Sequence, residues 1–462
     1  MLTYDLDKRG STPLYDYLYQ CIRQDIISGR LQAGERLPSK RTLAQHLSVG
    51  IITVANAYAQ LAVEGYITSR EKKGYFVEDV SSYRVRRKAA AVMLPEAAER
   101  EYFADFKANR ISLQNFPLAT WTRLMRETLS VHNEELLKTV PYKGVYELRK
   151  AIADYLAHNR AMQVDPSQII IGAGTEYLYG RLLQMFGHAC TFAIEEPGYK
   201  KFGNPWKYIP IDDNGLMIDK LEESGADVVH LSPANHFPTG IVMPVTRRLE
   251  LFEWVNRIRK RYIIEDDYDS EFRYTGRFIL PLYAQDTQSR VIYMNTFSKS
   301  LVPSLRISYM VLPPRLLERY EQTMSFYSCT VSSFEQYTLA RFISEGYFER
   351  HINKMKNYYR EQRHKILAAI HASPLAAVSQ ITERNAGTHF VLHINTKLTE
   401  AEVRKAALAA AMCLSFYSDY SHNTEENNGC TLVINYAAIE ADKIAAVIER
   451  LSSLFPECNQ IS

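Results

Sequence analysis

The sequence is poor in the features that mark secreted, metal-stapled or membrane-spanning chains. Its 462 residues include six cysteines, Cys21, Cys190, Cys329, Cys413, Cys430 and Cys458, scattered without a Cys-x-x-Cys pair or a metal-ligand spacing. That excludes a disulfide framework and a zinc site, and predicts reduced thiols and no bound metal. The opening stretch from Met1 to Pro13 has no apolar core of the kind a signal peptide needs, and no later run approaches bilayer length. A soluble, cytoplasmic chain is expected. Strong charge of one sign is also missing: the formal net charge is +3, so contact with nucleic acid must come from a local face. Internal repeats and low-complexity tracts are absent as well.

What is present falls into three regions. Apolar positions Leu14, Tyr17, Leu18, Cys21, Ile22 and Ile26, after the Thr12-Pro13 cap and first-turn pair, predict an amphipathic helix. Gly29, Gly34 and Pro38 break the chain, and Ser39 caps a short helix that buries Leu43, Ala44 and Leu47. The next helix turns Val54, Ala57, Tyr58 and Leu61 inward and leaves Thr53, Asn56 and Gln60 on an uncharged outer face. Tyr66-Ile67-Thr68 and Tyr75-Phe76-Val77 then flank a Lys72-Lys73-Gly74 turn, which reads as a hairpin with a basic tip. Three helices and a hairpin make a winged helix-turn-helix over residues 1–80. Residues 81–107, with the basic cluster Arg84, Arg86, Arg87 and Lys88, read as a linker. From 108 to 462 short apolar strands alternate with amphipathic helices, predicting an α/β domain whose ligands sit at the carboxyl ends of mostly parallel strands. After about Pro313 the pattern becomes that of a smaller α+β lobe.

Polar groups cluster where those strands end. Gly172-Ala173-Gly174-Thr175-Glu176 exposes backbone N–H groups at a helix start, which suits a phosphate. Glu265-Asp266-Asp267-Tyr268-Asp269 closes a buried strand and calls for a cationic partner such as a pyridinium nitrogen. Lys299, in Asn295-Thr296-Phe297-Ser298-Lys299-Ser300, is placed to form an imine with an aldehyde, and Arg306 could pair with a phosphate dianion.

These motifs carry a resemblance. Residues 108–462 are similar to class I, fold type I aminotransferases through GAGTE (172–176), EEPGY (195–199), SPANHFPTG (232–240), EDDYDSEF (265–272) and NTFSKSLVPSLR (295–306). Residues 10–80 resemble the GntR winged-helix family through STPLY (11–15), GERLPSKRTLA (34–44), TVANAYAQL (53–61) and KKGYFV (72–77). The order matches the MocR/GabR-type transcription regulators. That resemblance implies pyridoxal 5'-phosphate (PLP) held by Lys299 as a Schiff base, with Asp266 on the pyridine nitrogen and Tyr268 on the phenolic oxygen. It assigns the phosphate to the backbone of Gly174, Thr175 and Glu176 with Thr296, Ser298 and Arg306. Tyr199 falls where an aromatic ring neighbours the cofactor, Asn235 or His236 near the phenolic oxygen, and Tyr142 where a neighbouring subunit lends a tyrosine to the phosphate, implying a homodimer.

Two departures from the family pattern bear on function. GntR-type recognition helices begin with a motif like SRxTV, and here Gly50-Ile51-Ile52-Thr53-Val54 lacks its arginine. Contact with promoter DNA then rests on Ser39, Lys40 and Arg41, on Thr53, Asn56 and Gln60, and on Arg70, Lys72 and Lys73. The second departure is that no arginine lies between Arg404 and Arg450 to grip a carboxylate. Lys201 stands where the GABA sensor has a second carboxylate-binding arginine, and His236 joins it as an effector-binding candidate. The expected effector is PLP itself, or an amine or peptide-like ligand. The leading reading is a regulator that senses through its aminotransferase-like domain. A working aminotransferase with an appended head, and a scaffold without cofactor, are the alternatives.

Overall fold

The computed structural model describes residues 2–80, 101–107, 115–187, 189–198, 206–276, 278–384, 386–422, 429–455 and 458. The chain divides into two compact units, Met1–Glu99 and Arg100–Ser462.

In the first unit, α1 (Leu14–Ile27), α2 (Lys40–His46) and α3 (Ile51–Val63) precede a hairpin of β1 (Ile67–Arg70) and β2 (Gly74–Val77). Helix α1 starts with Pro13 at its cap position and receives no side-chain cap, so Thr12 does not serve there. Ser39 does cap α2, its Oγ accepting from Thr42 N at 3.1 Å. The apolar stripes of the three helices close over Leu18, Ile22, Leu43, Val54, Tyr58 and Leu61, all buried, and the Tyr58 hydroxyl donates to the Pro38 carbonyl at 3.0 Å. The hairpin pairs Ile67 with Val77 and Arg70 with Gly74. Lys72 at its tip takes a left-handed φ of 57°, one residue from the Lys73-Gly74 step.

The second unit begins earlier than the 81–107 linker expected from composition. β3 (Ala104–Asp105) pairs in parallel with β14 (Met412–Cys413), and Phe106 is buried in the core. A mixed charge pattern hid two short paired residues and one anchor.

Its centre is an eight-stranded sheet of β4 (Ile169–Gly172), β5 (Phe192–Glu196), β6 (Lys207–Asp212), β7 (Gly215–Leu216), β8 (Val228–Leu231), β9 (Tyr262–Asp266), β10 (Val291–Thr296) and β11 (Ser308–Val311), in the spatial order β4-β11-β10-β9-β8-β5-β6-β7. β10, β9, β8, β5 and β6 run parallel, whereas β11 is antiparallel to both β10 and β4. Strands β4, β5, β8, β9, β10 and β11 are buried along their whole length, because apolar layers cover both faces. Beyond Pro313, β12 (Ser379–Thr382), β13 (His389–Ile394) and β15 (Cys430–Asn435) form an antiparallel sheet beside the long helix Tyr347–His371. None of the six cysteines forms a disulfide, and no helix among the described residues is long and apolar enough to cross a membrane.

Candidate functional site

Sheet register brings the polar strand ends together. Gly172 at the end of β4 lies opposite Ser308 at the start of β11, Ser308 opposite Thr296 at the end of β10, and Met294 opposite Asp266 at the end of β9. Chain segments far apart in sequence thus finish side by side on one edge of the sheet, around a cavity of about 280 Å³. Gly174, Thr175, Glu176, Asp266, Tyr268, Thr296, Ser298, Lys299 and Arg306 all line it.

Each group has a local cause for its position. Gly174 precedes α6 (Thr175–Phe186) with φ 98°, and α6 has no side-chain cap, so the first-turn N–H groups remain available to an anion. A Cβ at residue 174 would stand 2.5 Å from Arg306 Nη2, so both the backbone angle and the close approach require glycine. Arg306 adopts a left-handed φ of 50° just before β11 and pairs with Glu176 at 2.7 Å. Thr296 ties the Lys299 loop down: its Oγ1 accepts from Ser298 N at 3.1 Å and from Ser308 Oγ at 2.8 Å. Ser298 Oγ is buried with no hydrogen-bond partner, as is Asp266 Oδ1. The other Asp266 oxygen lies 3.4 Å from His230 Nε2.

Around Lys299 the electrostatics follow from burial. Its amine is pushed below the usual lysine range by desolvation, with Asp269 pulling the other way. Asp269 is buried and driven upward by desolvation, against the hydrogen bond from Asn235 Nδ2 at 2.7 Å and the charge of Lys299. His389, on the opposite wall, is lowered to about 4 by burial first and by Lys299 second, so it is neutral at pH 7. Glu195 is raised to about 8 by burial.

Other expected residues stand elsewhere. Asn235 turns its amide to Asp269, and its backbone carbonyl accepts the Tyr268 hydroxyl at 3.2 Å, so it braces two site residues instead of facing the cavity. His236 is engaged by Thr239 Oγ1 at 2.7 Å and lies 3.7 Å from Glu195, away from the cavity lining. Tyr142 packs near Tyr320, with ring centroids 6.4 Å apart, and does not line this chain's cavity; its expected role concerns a second copy. Tyr199 and Lys201 lie outside the described residues. Sequence reasoning did not single out Asp269, His230, or the far-wall residues Phe237, Thr388, His389 and Val433. Asp269 sat within the acidic motif, but nothing in the small-lobe sequence marked Thr388 or Val433.

In the first unit, Arg41, Asn56, Gln60, Arg70, Lys72 and Lys73 are exposed, while Lys40 and Thr53 are half-buried. Lys40 Nζ sits 5.1 Å from the Tyr75 ring centroid and the Arg70 guanidinium 4.6 Å from that of Phe76, so each of these successive rings of β2, on opposite faces of the strand, carries one cation. Gln60 donates to Glu64, and the exposed Ser39 spends its Oγ on the cap.

A winged helix-turn-helix and an α/β unit whose strand ends gather a lysine, an arginine and an uncapped helix start around one cavity define a two-part class of protein. Comparison with known proteins names both parts. Residues 14–77 match "Bacterial regulatory proteins, gntR family" and residues 105–451 match "Aminotransferase class I and II". The chain is 36% identical over 462 residues, covering 98% of it and 99% of the relative, to the "Uncharacterized HTH-type transcriptional regulator YdeL" of Bacillus subtilis (strain 168). It is 30% identical over 475 residues, 97% of this chain and 95% of the other, to the "Probable rhizopine catabolism regulatory protein MocR" of Rhizobium meliloti. In fold it is similar to the multiple substrate aminotransferase from Thermococcus profundus, with a TM-score of 0.67 and 24% identity over 79% of this chain and 94% of that one. The chain belongs to the MocR-type family, in which a gntR-type head is fused to an aminotransferase class I and II domain.

Proposed function

We propose that the protein is a transcription regulator that binds promoter DNA through residues 2–80 and senses PLP, or PLP together with an amine, through the unit that starts near residue 101. The observation that carries this reading is the pair of buried, unpartnered oxygens, Asp266 Oδ1 and Ser298 Oγ, in the cavity lined by Lys299, on a chain whose other unit is a winged helix. Buried polar atoms without partners are rare in native proteins and suit a ligand that completes them.

The residues fit PLP. Gly174, the first-turn N–H groups of α6, Ser298 and Arg306 suit a phosphate dianion; Asp266 suits a protonated ring nitrogen and Tyr268 a phenolic oxygen. When bound, PLP supplies an aldehyde that condenses with a primary amine and an electron-withdrawing ring. This chain's part is to desolvate the Lys299 amine, which favours its neutral, nucleophilic form against the opposing charge of Asp269. Asp266, with one oxygen 3.4 Å from His230 Nε2, would hold a proton on the ring nitrogen. In a homodimer, Tyr142 would be offered to the phosphate of a second copy. Ligand binding shifts the population of dimer arrangements, and thereby the spacing of the two heads, without turnover.

For the effector class, Phe237, Thr388, Val433 and the neutral His389, with Lys107 already paired to Asp419 at 2.8 Å, suit an amine with an uncharged body. The test is titration of the purified protein with PLP and candidate amines, read by visible absorbance and by binding to its own upstream DNA. Absorbance changes that track altered DNA affinity are expected. Steady-state transamination at ordinary enzymatic rates with unchanged DNA binding would assign the chain to the enzymes instead.

A further inference from the structure

The exposed face of α3 contradicts the usual surface of a helix. From Ile51 to Val63 it carries no charged residue, and Ile51, Ile52 and Val63 are exposed to 50%, 76% and 83%. Its cap residue Gly50 offers no side chain, and its first turn has no acidic group. Five of the ten lysines and arginines in residues 1–80 belong to the elements that flank α3: Lys40 and Arg41 open α2, while Arg70, Lys72 and Lys73 belong to the hairpin. Lys40 rests on Tyr75, which packs against Tyr58 of α3 at 5.0 Å between centroids, so this flank is fixed relative to the helix. A surface that is apolar in the middle and cationic at its margins matches the major groove, where phosphates form the rims and thymine C5-methyl groups project from the floor.

We infer that Ile52, with Ile51 beside it, reads thymine methyl groups in the major groove, so that the operator half-site is specified by apolar contact where related helices use an arginine. This rests on the regulator reading above. Asn56 lies four residues further along the same face as Ile52, positioned for a neighbouring base edge. Val63 ends the helix about 16 Å along its axis from Ile52 and takes no part.

The experiment selects binding sites with the full-length protein from a random duplex pool, in the presence and absence of PLP. The enriched duplex is then resynthesised with deoxyuridine for thymidine at one position at a time, which removes only the methyl. At one or more thymines per half-site, wild type is expected to weaken about fourfold, the effect of one buried methyl-sized group. Ile52→Ala should bind both duplexes alike, and Ile51→Ala should show a smaller penalty than wild type; both positions are exposed, so folding is retained. Tolerance of deoxyuridine everywhere would overturn the inference. So would a full penalty in Ile52→Ala, or a variant that changes sedimentation but not DNA affinity, which would assign the face to contact between copies. If no sequence is enriched at all, the regulator reading itself has failed and this inference falls with it.

Discussion

The two units make opposite use of burial. In the winged head, the candidate DNA-contact residues are exposed or half-buried and uncharged or cationic, and among the described residues its apolar core has a single buried charged or polar exception, Asp25. In the larger unit the working groups are themselves inside: Glu195, Glu265, Asp266, Asp267, Asp269 and Glu271 are all buried. A head of this kind can change its reading by surface substitution with little effect on folding. The larger unit is less tolerant, because buried contacts such as Arg160–Asp267 and Asn235–Asp269 hold its groups against one another.

Removing the centre of the larger unit sets the largest expected effect. Lys299→Ala should abolish the visible absorbance of the PLP-loaded protein and let PLP dialyse away, while the head still melts as in wild type. A variant that keeps PLP through dialysis would move the anchor elsewhere. Next comes the buried ion pair of Arg160 with Asp267, whose side chains are 4% and 1% exposed and which Tyr293 also joins at 2.6 Å. Asp267→Ala leaves a buried guanidinium uncompensated and should lower the stability of this unit by about 3–5 kcal/mol. The head's exposed Lys8–Asp5 pair, at 77% and 54%, provides the contrast: Lys8→Ala should change stability by less than about 0.5 kcal/mol. Calorimetry with both variants checks whether the asymmetry is real.

Titration sharpens the same contrast at a smaller scale. Glu195 is raised to about 8 in the folded state by burial, against about 4.3 in an unfolded chain. The folded protein therefore binds one more proton than the unfolded chain between those values. The stability tied to this group is fully present below about 4.3 and is lost as pH rises through about 8. Glu195→Gln, which can still accept from Ser232 N, should gain on wild type by on the order of 1 kcal/mol per pH unit across that window. Exposed Glu64 in the head, held low by Tyr19 and Gln60, should show no comparable trend when changed to Gln. Parallel melting curves for Glu195→Gln and wild type would remove the case for a neutral Glu195.

How much could be read from the sequence follows the same division. The head was legible almost whole, because helical periodicity, the Ser39 cap and the Lys72-Lys73-Gly74 tip are local signals. The nine cavity residues near Lys299 were legible too, since strand ends carry their chemistry in contiguous motifs. Asn235 and His236 stand in the loop the sequence points to, but their side chains turn toward Asp269, Thr239 and Glu195 and do not line the cavity, an orientation that the motif by itself does not reveal. The far wall came from β13, β15 and the segment around Tyr420, where a threonine or valine looks like any other sheet residue until the fold sets it opposite Lys299. The first strand of the second unit, at Ala104–Asp105, was lost because a two-residue strand has no periodicity to detect.

The smallest predicted effect tests the exception to the comparison, a charged pair in the larger unit that is as exposed as those of the head. Arg306 and Glu176 are 53% and 52% exposed and 2.7 Å apart beside Gly174. An arriving phosphate dianion must share Arg306 with a carboxylate that repels it. At high local dielectric, one such like-charge contact near 4 Å is worth about 1 kcal/mol. Glu176→Gln should therefore tighten PLP binding about fivefold at low salt, and the gain should shrink as ionic strength rises. DNA affinity of the PLP-free variant should not change, because Glu176 belongs to the other unit. If Glu176→Gln binds PLP more weakly, the carboxylate is orienting Arg306 rather than competing with the phosphate, and this pair then behaves like the buried charges of its own unit despite its exposure.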